Sequence, residues 1–275
     1  MKIAIIGGGK MGEAILKGLL ASKLAPADEL DAASFVVANP GLERRTYLQQ
    51  SYGVACVEQA PECGAADVVI LAVKPQVMGS VLDSIHKTVS KCPAYAQALY
   101  ISIAAGITTS QLRAQLPEGA RVVRTMPNTP LMVGAGITAV VSDGGASCED
   151  VALVQSLFAC LGTAVLVKEC EMDAVCAVSG SGPAYMAAMI EALRDGGVEQ
   201  GLSPQLATSL ALQTMLGTAR LIHETGASPE ETRISVCSPG GTTLAALEAM
   251  NARDFSGTIQ AGVAAATKRS KELGA

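Results

Sequence analysis

The sequence predicts an α/β protein in which a parallel, helix-covered sheet is followed by an all-helical domain. Two observations predict this arrangement. Short apolar runs alternate with segments of helical spacing as far as Val167, which is typical of a parallel sheet. Beyond Val167 the strand signals stop and only helical patterns remain. We therefore predict two domains, at residues 1–167 and 168–275.

The predicted sheet starts at the N-terminus, where residues 2–6 form an apolar run that ends at glycines. A helix is predicted over about 12–24. The remaining predicted strands cover residues 35–38, 54–57, 68–73, 99–103, 121–126, 137–141 and 164–167. The helices between them are predicted at about 42–52, 77–89, 109–115 and 148–160.

The second domain is predicted to contain only helices, separated by glycines and Ser-Pro pairs. We place them at about 171–196, 204–224, 229–235, 241–250 and 254–272. The helix at 204–224 is apolar or small nearly all round, so it should be buried on most sides. A domain this small rarely buries such a helix alone, and we expect part of its surface to meet another subunit. The alternative is a central helix within a monomeric bundle.

Composition and charge exclude several classes of function. The chain has 275 residues, of which 49% are hydrophobic, so it can bury a large core. Its formal net charge of −5, with no basic run, disfavours a nucleic-acid partner. No apolar stretch reaches the ~18 residues of a membrane span. The first residues run straight into a strand, so we expect no signal peptide. We expect a cytoplasmic location.

The cysteines and histidines disfavour metal chemistry. Eight cysteines are scattered along the chain without a C-x-x-C pair, so we expect reduced and mostly buried thiols. A metal site needs clustered ligands, and the only histidines are His86 and His223. We therefore expect no metal and no catalysis centred on histidine.

A glycine-rich turn follows the first strand and opens the first helix. Its pattern is G-x-G-x-x-G, with Gly7, Gly9 and Gly12 at the glycine positions. In this context backbone N–H groups and a helix N-terminus converge on one point, which suits a dinucleotide pyrophosphate. The alternative is a glycine-rich turn without a ligand.

The end of the second predicted strand favours NADP(H) over NAD(H). An NAD enzyme usually has an acidic residue there, whereas this chain has Asn39, followed by Pro40 and then by Arg44 and Arg45. A guanidinium group matches the geometry of a 2′-phosphate. The alternative is that these arginines lie on a solvated helix face.

Three further motifs are candidates for cofactor or substrate contacts. Lys74 follows a central strand at the sheet edge where ligands bind. Residues 179–185 combine small residues with Pro183; a close helix crossing is at least as good an explanation as substrate contact. Residues 240–243 form the predicted first turn of a helix, which suits a small carboxylate. An ordinary Ser/Thr-capped helix start is the alternative there.

Taken in chain order, these motifs resemble those of the pyrroline-5-carboxylate reductase family, over essentially the whole chain. The resemblance includes the glycine turn and the last motif, which is the family's hallmark. The matching segments are Ala72-Val73-Lys74-Pro75, Ser102-Ile103-Ala104-Ala105-Gly106, Arg124-Thr125-Met126-Pro127-Asn128-Thr129-Pro130, Ser179-Gly180-Ser181-Gly182-Pro183-Ala184-Tyr185, Asp195-Gly196-Gly197 and Ser238-Pro239-Gly240-Gly241-Thr242-Thr243.

The resemblance implies an N-terminal Rossmann dinucleotide-binding domain. It also implies an all-α dimerisation domain, in the arrangement of 6-phosphogluconate dehydrogenases, that interlocks with a second subunit. Homodimers of this family often assemble into decamers. The implied activity is the NAD(P)H-dependent reduction of 1-pyrroline-5-carboxylate to L-proline, the last step of proline biosynthesis. The expected cofactor is NADPH, with NADH as the second possibility.

Residue by residue, the motifs together with the resemblance imply the following contacts. The cofactor is expected to contact Ile6, Gly7, Gly8, Gly9, Lys10, Met11, Gly12, Asn39, Pro40, Arg44, Gln59, Val73, Lys74 and Ala105. The substrate is expected to contact Glu169, Ser238, Gly240, Gly241, Thr242 and Thr243, with Thr243 as the catalytic residue. Gln59 departs from the family pattern, which often has Asn near this position.

Two other functions remain open at this point. A related imine or β-hydroxyacid oxidoreductase would share the architecture. The β-hydroxyacid enzymes generally use a lysine of the helical domain, however, and Lys168 is the only lysine between Pro93 and Lys268. A non-catalytic dinucleotide-sensing protein would also share the fold, although the intact segment at 238–243 argues against it.

Overall fold

The computed structural model describes residues 1–90 and 92–274. The chain divides into two compact units. The first unit comprises Met1–Ser181 with Ala266–Ala275, and the second unit comprises Gly182–Ala265. The predicted domain boundary at 167/168 falls at the end of the last strand. It stays a prediction; the two compact units are separated at 181/182 and again at 265/266.

Eight strands in the described residues form one sheet within the first unit. They are β1 (Ile3–Ile6), β2 (Phe35–Ala38), β3 (Ala55–Val57), β4 (Val68–Leu71), β5 (Leu99–Ser102), β6 (Arg121–Met126), β7 (Gly136–Val141) and β8 (Gly162–Val167). Their order is β3-β2-β1-β4-β5-β6-β7-β8. The predicted α/β sheet is confirmed, with one exception.

The exception is the β6–β7 pair, which is antiparallel in a sheet whose other pairs are parallel. The cause is the short connection between these strands. A parallel pair needs a crossover of a dozen or more residues. Only residues 127–135 join β6 to β7, and part of them forms a 3₁₀ helix at Thr129–Val133.

Twelve α-helices lie in the described residues. Those up to Val175 are α1 (Lys10–Ala21), α2 (Leu42–Tyr52), α3 (Pro75–Thr88), α4 (Ala94–Gln97), α5 (Thr109–Gln115), α6 (Cys148–Ala159) and α7 (Met172–Val175). The later ones are α8 (Gly182–Glu199), α9 (Pro204–Thr225), α10 (Pro229–Ser235), α11 (Thr242–Asn251) and α12 (Phe255–Leu273).

The predicted single helix over 171–196 is wrong. A 3₁₀ turn at Glu169–Glu171 leads into α7, and a π-helical turn at Cys176–Gly180 then separates α7 from α8. Long-range contacts hold this turn. The Asn128 Nδ2 donates to the Ser179 carbonyl at 3.2 Å. A Cβ on Gly180 would lie 2.7 Å from the Met126 methyl group, so only glycine fits there without a shift.

The core of the first unit lies on both faces of the sheet. Successive β1 residues alternate between the two hydrophobic clusters: Ile3 and Ile5 join one, and Ala4 and Ile6 the other. A strand covered on both faces reads as a continuous apolar run, as β1 does. Full burial of each such isoleucine contributes roughly 1.5–3 kcal/mol.

The eight cysteines correct the expectation of mostly buried thiols. Cys148 and Cys170 are exposed and the other six are half-buried, and all eight are free. The reason is their position, because Cys56, Cys63, Cys92 and Cys160 pack only against the outside of the two sheet clusters, and the other four do not join these clusters. Among the described residues, no helix is long and apolar enough to cross a membrane.

Candidate functional site

The carboxyl ends of four parallel strands meet at one edge of the sheet. The register aligns Ile6 of β1 with Ala38 of β2 and Leu71 of β4, and aligns Leu71 with Ser102 of β5. Chain order reverses direction between β1 and β4, and open α/β sheets bind ligands in the crevice at such a point. Most predicted cofactor residues follow these strand ends.

The glycine turn lies in that crevice and needs its glycines for different reasons. Gly7 has φ +109°, and a Cβ there would lie 2.6 Å from the Ala72 carbonyl oxygen. A Cβ on Gly12 would strike the Gly7 carbonyl oxygen, so α1 packs too closely for any side chain. Gly9 differs, because a Cβ there would meet nothing within 4 Å. The space over Gly9 is open to a ligand.

The N-terminus of α1 has the features of a phosphate site. Gly9 is its N-cap residue and no side chain caps the helix, so its first N–H groups are left for a ligand. Lys10 and Met11 begin the helix at the open end of the turn. Ile6 is only 3% exposed beneath it, and Gly8 is buried against Leu48. These two positions support the turn from below.

The segment after β2 lies beside the end of β3. The Asn39 N–H donates to the Val57 carbonyl at 3.0 Å. Arg45 Nη1 donates to the carbonyls of Asn39 and Pro40, at 2.7 and 2.8 Å. Gln59 is exposed at the start of the 3₁₀ helix Ala60–Cys63. Arg45 therefore shapes the chain at the predicted adenosine end.

Arg44 reaches back onto the glycine turn. Its Nε donates to the Gly8 carbonyl at 2.5 Å, its Nη2 pairs with the Glu13 carboxylate, and its guanidinium lies 5.0 Å from the Tyr47 ring centroid. Its Nη1 donates to none of the described residues. Arg44 thus braces the turn, and its predicted contact with a 2′-phosphate stays a prediction.

Glu13 is the acceptor at the centre of this cluster. Tyr47 and Tyr52 donate their hydroxyl groups to it at 2.9 and 2.7 Å. Burial alone would raise the pKa of Glu13, but the hydrogen bonds from Arg44, Tyr52 and Tyr47 outweigh burial and lower that pKa. Sequence analysis missed these partners, since they lie more than thirty residues from Glu13.

Two more predicted cofactor segments border the crevice from β4 and β5. Val73 and Lys74 follow β4, and Lys74 is the exposed N-cap residue of α3. Ala105 is half-buried in the loop after β5, where the Ala104 N–H donates to Ser102 Oγ at 3.3 Å. Both segments lie on the side of β1 opposite to β2, where the adenosine end is expected.

Glu169 is engaged by residues of the first unit. Its carboxylate pairs with Arg124 Nη1 at 2.6 Å and accepts the Thr109 hydroxyl at 2.6 Å. Its own N–H donates to Asp143 at 2.7 Å. Arg124 is buried, and its Nε has no partner among the described residues. The Arg-Thr-Met-Pro-Asn motif flagged Arg124 without a role, and nothing in the sequence pointed to Thr109.

The segment at 238–243 lies in the second unit, at the start of α11. Gly240 has φ +69°, and the Gly241 N–H donates to the Ser238 carbonyl at 2.9 Å. The helix begins at Thr242 with Gly241 as N-cap and without a side-chain cap. The turn therefore precedes the helix instead of forming its first turn. The free N–H groups at the start of α11 are those of Thr242 and Thr243, and Thr243 is half-buried.

Fold, glycine turn and strand-end crevice define a dinucleotide-binding oxidoreductase of the Rossmann class. Two family profiles match the chain. Residues 169–273 match the profile described as pyrroline-5-carboxylate reductase dimerisation, and residues 2–106 match the NADP oxidoreductase, coenzyme F420-dependent profile.

Full-length relatives are more specific. The chain is 43% identical to a pyrroline-5-carboxylate reductase of Synechocystis, over 100% of this chain and 98% of that protein. Solved structures include the Plasmodium falciparum pyrroline carboxylate reductase with NADP bound, at TM-score 0.86 and 30% identity, covering 100% and 98% of the two chains. The Coxiella burnetii pyrroline-5-carboxylate reductase has TM-score 0.87 and 33% identity, with the same coverage. The chain belongs to the pyrroline-5-carboxylate reductase family.

Proposed function

We propose that this protein reduces 1-pyrroline-5-carboxylate to L-proline with NADPH as the last step of proline biosynthesis. The observation that carries the proposal is the 238–243 segment, which presents an uncapped helix N-terminus in a chain of this family. The glycine turn supports the cofactor, because the open space over Gly9 and the uncapped α1 accommodate a pyrophosphate.

When bound, NADPH would supply a hydride from its nicotinamide C4 to the imine carbon, which is C2 of the pyrroline ring and becomes C5 of proline. The N–H groups at the start of α11 bind the substrate carboxylate. The Thr243 hydroxyl hydrogen-bonds the ring nitrogen and relays its proton, which completes the addition of one hydride and one proton across the C=N bond. Orientation by these groups supplies several kcal/mol of the barrier reduction.

The remaining predicted contacts enter this proposal as follows. Glu169 contacts substrate only with the carboxylate surface left free by Arg124 and Thr109. Ser238, Gly240 and Gly241 form the turn that exposes the N–H groups of Thr242 and Thr243. Lys74 and Gln59 are exposed at their strand ends and contact the cofactor from opposite sides of β1.

The preference for NADPH rests on Arg44. Its Nε and Nη2 are engaged by the glycine turn and Glu13, and Nη1 is the donor that remains for a 2′-phosphate. Arg44→Ala should weaken NADPH binding more than NADH binding, measured as the two Kd values. Arg45→Ala is the matched control. Arg45 supports the chain at Asn39 and Pro40 and is not assigned to the 2′-phosphate, so this variant should show no such difference between NADPH and NADH. Equal losses for Arg44→Ala would assign Arg44 to bracing the turn alone.

We also propose a homodimer, with a decamer as the higher assembly, in the cytoplasm. The dimer is supported by the dimerisation profile and by the exposed leucines of α9. The alternative of a monomeric bundle required these leucines to be buried. Sedimentation at micromolar concentration tests the assembly, and a monomer there would contradict it.

The deciding experiment is an NADPH-oxidation assay with 1-pyrroline-5-carboxylate, run beside NADH and a panel of other cyclic imines. We expect turnover with 1-pyrroline-5-carboxylate, faster with NADPH than with NADH, and formation of one proline for each NADPH oxidised. No turnover with either cofactor would overturn the proposed function. Binding of NADPH without turnover would favour the dinucleotide-sensing alternative.

A further inference from the structure

The segment at 270–274 returns to the first unit after the chain has passed through the second. Ser270 is 3% exposed, and its hydroxyl donates to Asp173 at 2.7 Å. At the other end, Gln111 Nε2 donates to the Gly274 carbonyl at 2.7 Å. Side-chain hydrogen bonds with Asp173 and Gln111 therefore hold the segment at its two ends.

The backbone of this segment touches the loop that carries Ala105. Gly106 is buried with φ +80°, and a Cβ there would lie 3.0 Å from both the Gly274 nitrogen and the Leu273 carbonyl carbon. Conversely, a Cβ on Gly274 would strike the Gly106 carbonyl oxygen. The two backbones are therefore in direct contact, and neither glycine can carry a side chain unless one of the two segments moves.

The loop that carries Ala105 leads directly into α5, and the first residues of α5 make further contacts. Thr109 donates its hydroxyl to Glu169. Gln111 Oε1 accepts the Thr108 N–H at 2.8 Å, in the capping box that starts α5. Gln111 therefore links the start of α5 to Gly274. A cavity of about 330 Å³ beside this contact is also lined by Pro75, the residue after Lys74.

We propose that segment 270–274 is a positioning element of the dinucleotide site. It holds the loop at 103–107 so that Ala105 faces the nicotinamide half of the cofactor. The half is assigned by topology, because the adenosine end is expected at β2, on the other side of β1 from β4 and β5. The inference rests on the proposed function only in that the ligand is a nicotinamide dinucleotide. Gln111 and Gly274 act through the loop.

Gln111→Glu tests the proposal with little change in shape. The substitution keeps an acceptor for the Thr108 N–H, removes the donor to the Gly274 carbonyl and sets a carboxylate against that oxygen. Loss of one such hydrogen bond should raise the Kd of NADPH about three- to tenfold. The kcat at saturating NADPH should stay within about twofold. Gln115→Glu is the matched control, since it adds the same charge one turn later, at an exposed glutamine that lines the same cavity and does not bond Gly274.

Binding of 2′,5′-ADP separates positioning from a loss of folding. This ligand has the adenosine end of NADPH and lacks the nicotinamide half. We expect Gln111→Glu to leave its Kd unchanged, whereas a general destabilisation would weaken both ligands. Gly274→Ala and removal of residues 274–275 should reproduce the selective loss of NADPH affinity. A wild-type Kd for NADPH in these variants, or an equal loss for both ligands, would overturn the proposal.

These binding measurements do not depend on the reaction. A wild-type protein that binds NADPH but leaves 1-pyrroline-5-carboxylate unreduced would overturn the proposed function, while the ratio of the two Kd values would still decide the role of segment 270–274.

Discussion

The two units differ in how far their apolar side chains are buried. In the first unit, isoleucines and valines of the sheet are buried on both faces in two clusters. In the second unit, only Gly182, Ala207 and Ala211 are buried. Large apolar residues of α9 are about half exposed, namely Leu206, Leu210, Leu212, Leu216 and Leu221. The first unit is stabilised by its own core, whereas the second has an apolar surface that requires a partner.

This difference changes what a hydrophobic pattern predicts. In the first unit it predicts strands and the faces they bury. In the second, the near-continuous apolar surface of α9 predicts association, because contiguous exposed apolar surface on a soluble protein marks an interaction site. The dimerisation profile covers the second unit entirely. A second copy of this chain is the occupant we propose.

The largest expected effect is loss of the dimer by Leu210→Glu. A charge placed in an apolar interface costs several kcal/mol, so the dimer Kd should rise about 100-fold or more. Leu24→Glu is the matched control, because Leu24 is 61% exposed in the first unit, against 51% for Leu210. Sedimentation of both variants decides the outcome. Dissociation of the dimer by Leu24→Glu, or an intact dimer of Leu210→Glu, would contradict the claim that the second unit, and not the first, provides the apolar interface.

The second prediction concerns two glycines of the same turn. Gly12→Ala forces a methyl group against the Gly7 carbonyl, so it should lower the free energy of unfolding by about 2 kcal/mol. Gly9→Ala meets open space and should change that free energy by less than about 0.5 kcal/mol. It should nevertheless weaken NADPH binding, since its methyl group occupies the expected phosphate position. Denaturant titration and NADPH binding, measured on both variants, separate the two roles.

The sequence predicts the first unit well because its signals are local. The run at 2–6, the glycines after it and the first helix each follow from neighbouring residues, and the structure has them in that order. The strand ends that form the crevice could be predicted for the same reason, because parallel strands place their carboxyl ends at a common edge.

What the sequence could not predict depends on distant contacts. The π-helical turn at Cys176–Gly180 depends on Asn128, and the position of Glu169 depends on Arg124 and Thr109. The contact between Gly106 and Gly274 joins residues that are far apart in the chain. None of these pairs has a periodicity or a spacing that a single sequence reveals.

The third prediction concerns the exposed site segment of the second unit. Thr243→Ala should lower kcat/KM by ~10-fold or more and leave the Kd of NADPH nearly unchanged, because it removes one positioned hydrogen-bonding group. Thr243→Ser keeps the hydroxyl group and should retain most of the activity. Steady-state kinetics and NADPH binding test this pair. An unchanged rate in Thr243→Ala would remove Thr243 from the mechanism.

The smallest expected effect concerns Glu13, a polar contact internal to the first unit. Hydrogen bonds from Arg44, Tyr52 and Tyr47 outweigh burial and lower the pKa of Glu13 below its ordinary value of 4.5. A carboxylate with a depressed pKa stabilises the folded state above its unfolded pKa, and that stability is lost as the pH falls through the folded pKa. The free energy of unfolding should therefore decrease below pH 4.5.

Glu13→Gln should remove this contribution, so its deficit relative to the wild type should be largest at neutral pH and should shrink as the pH falls below 4.5. Glu43→Gln, at an exposed carboxylate on α2 beside Arg44, is the control. Thermal unfolding from pH 7 to pH 3 measures both variants. A deficit in the free energy of unfolding that stays constant with pH would contradict this prediction. It would mean that Glu13 stabilises the contact between α1 and α2 through packing and not through its charge.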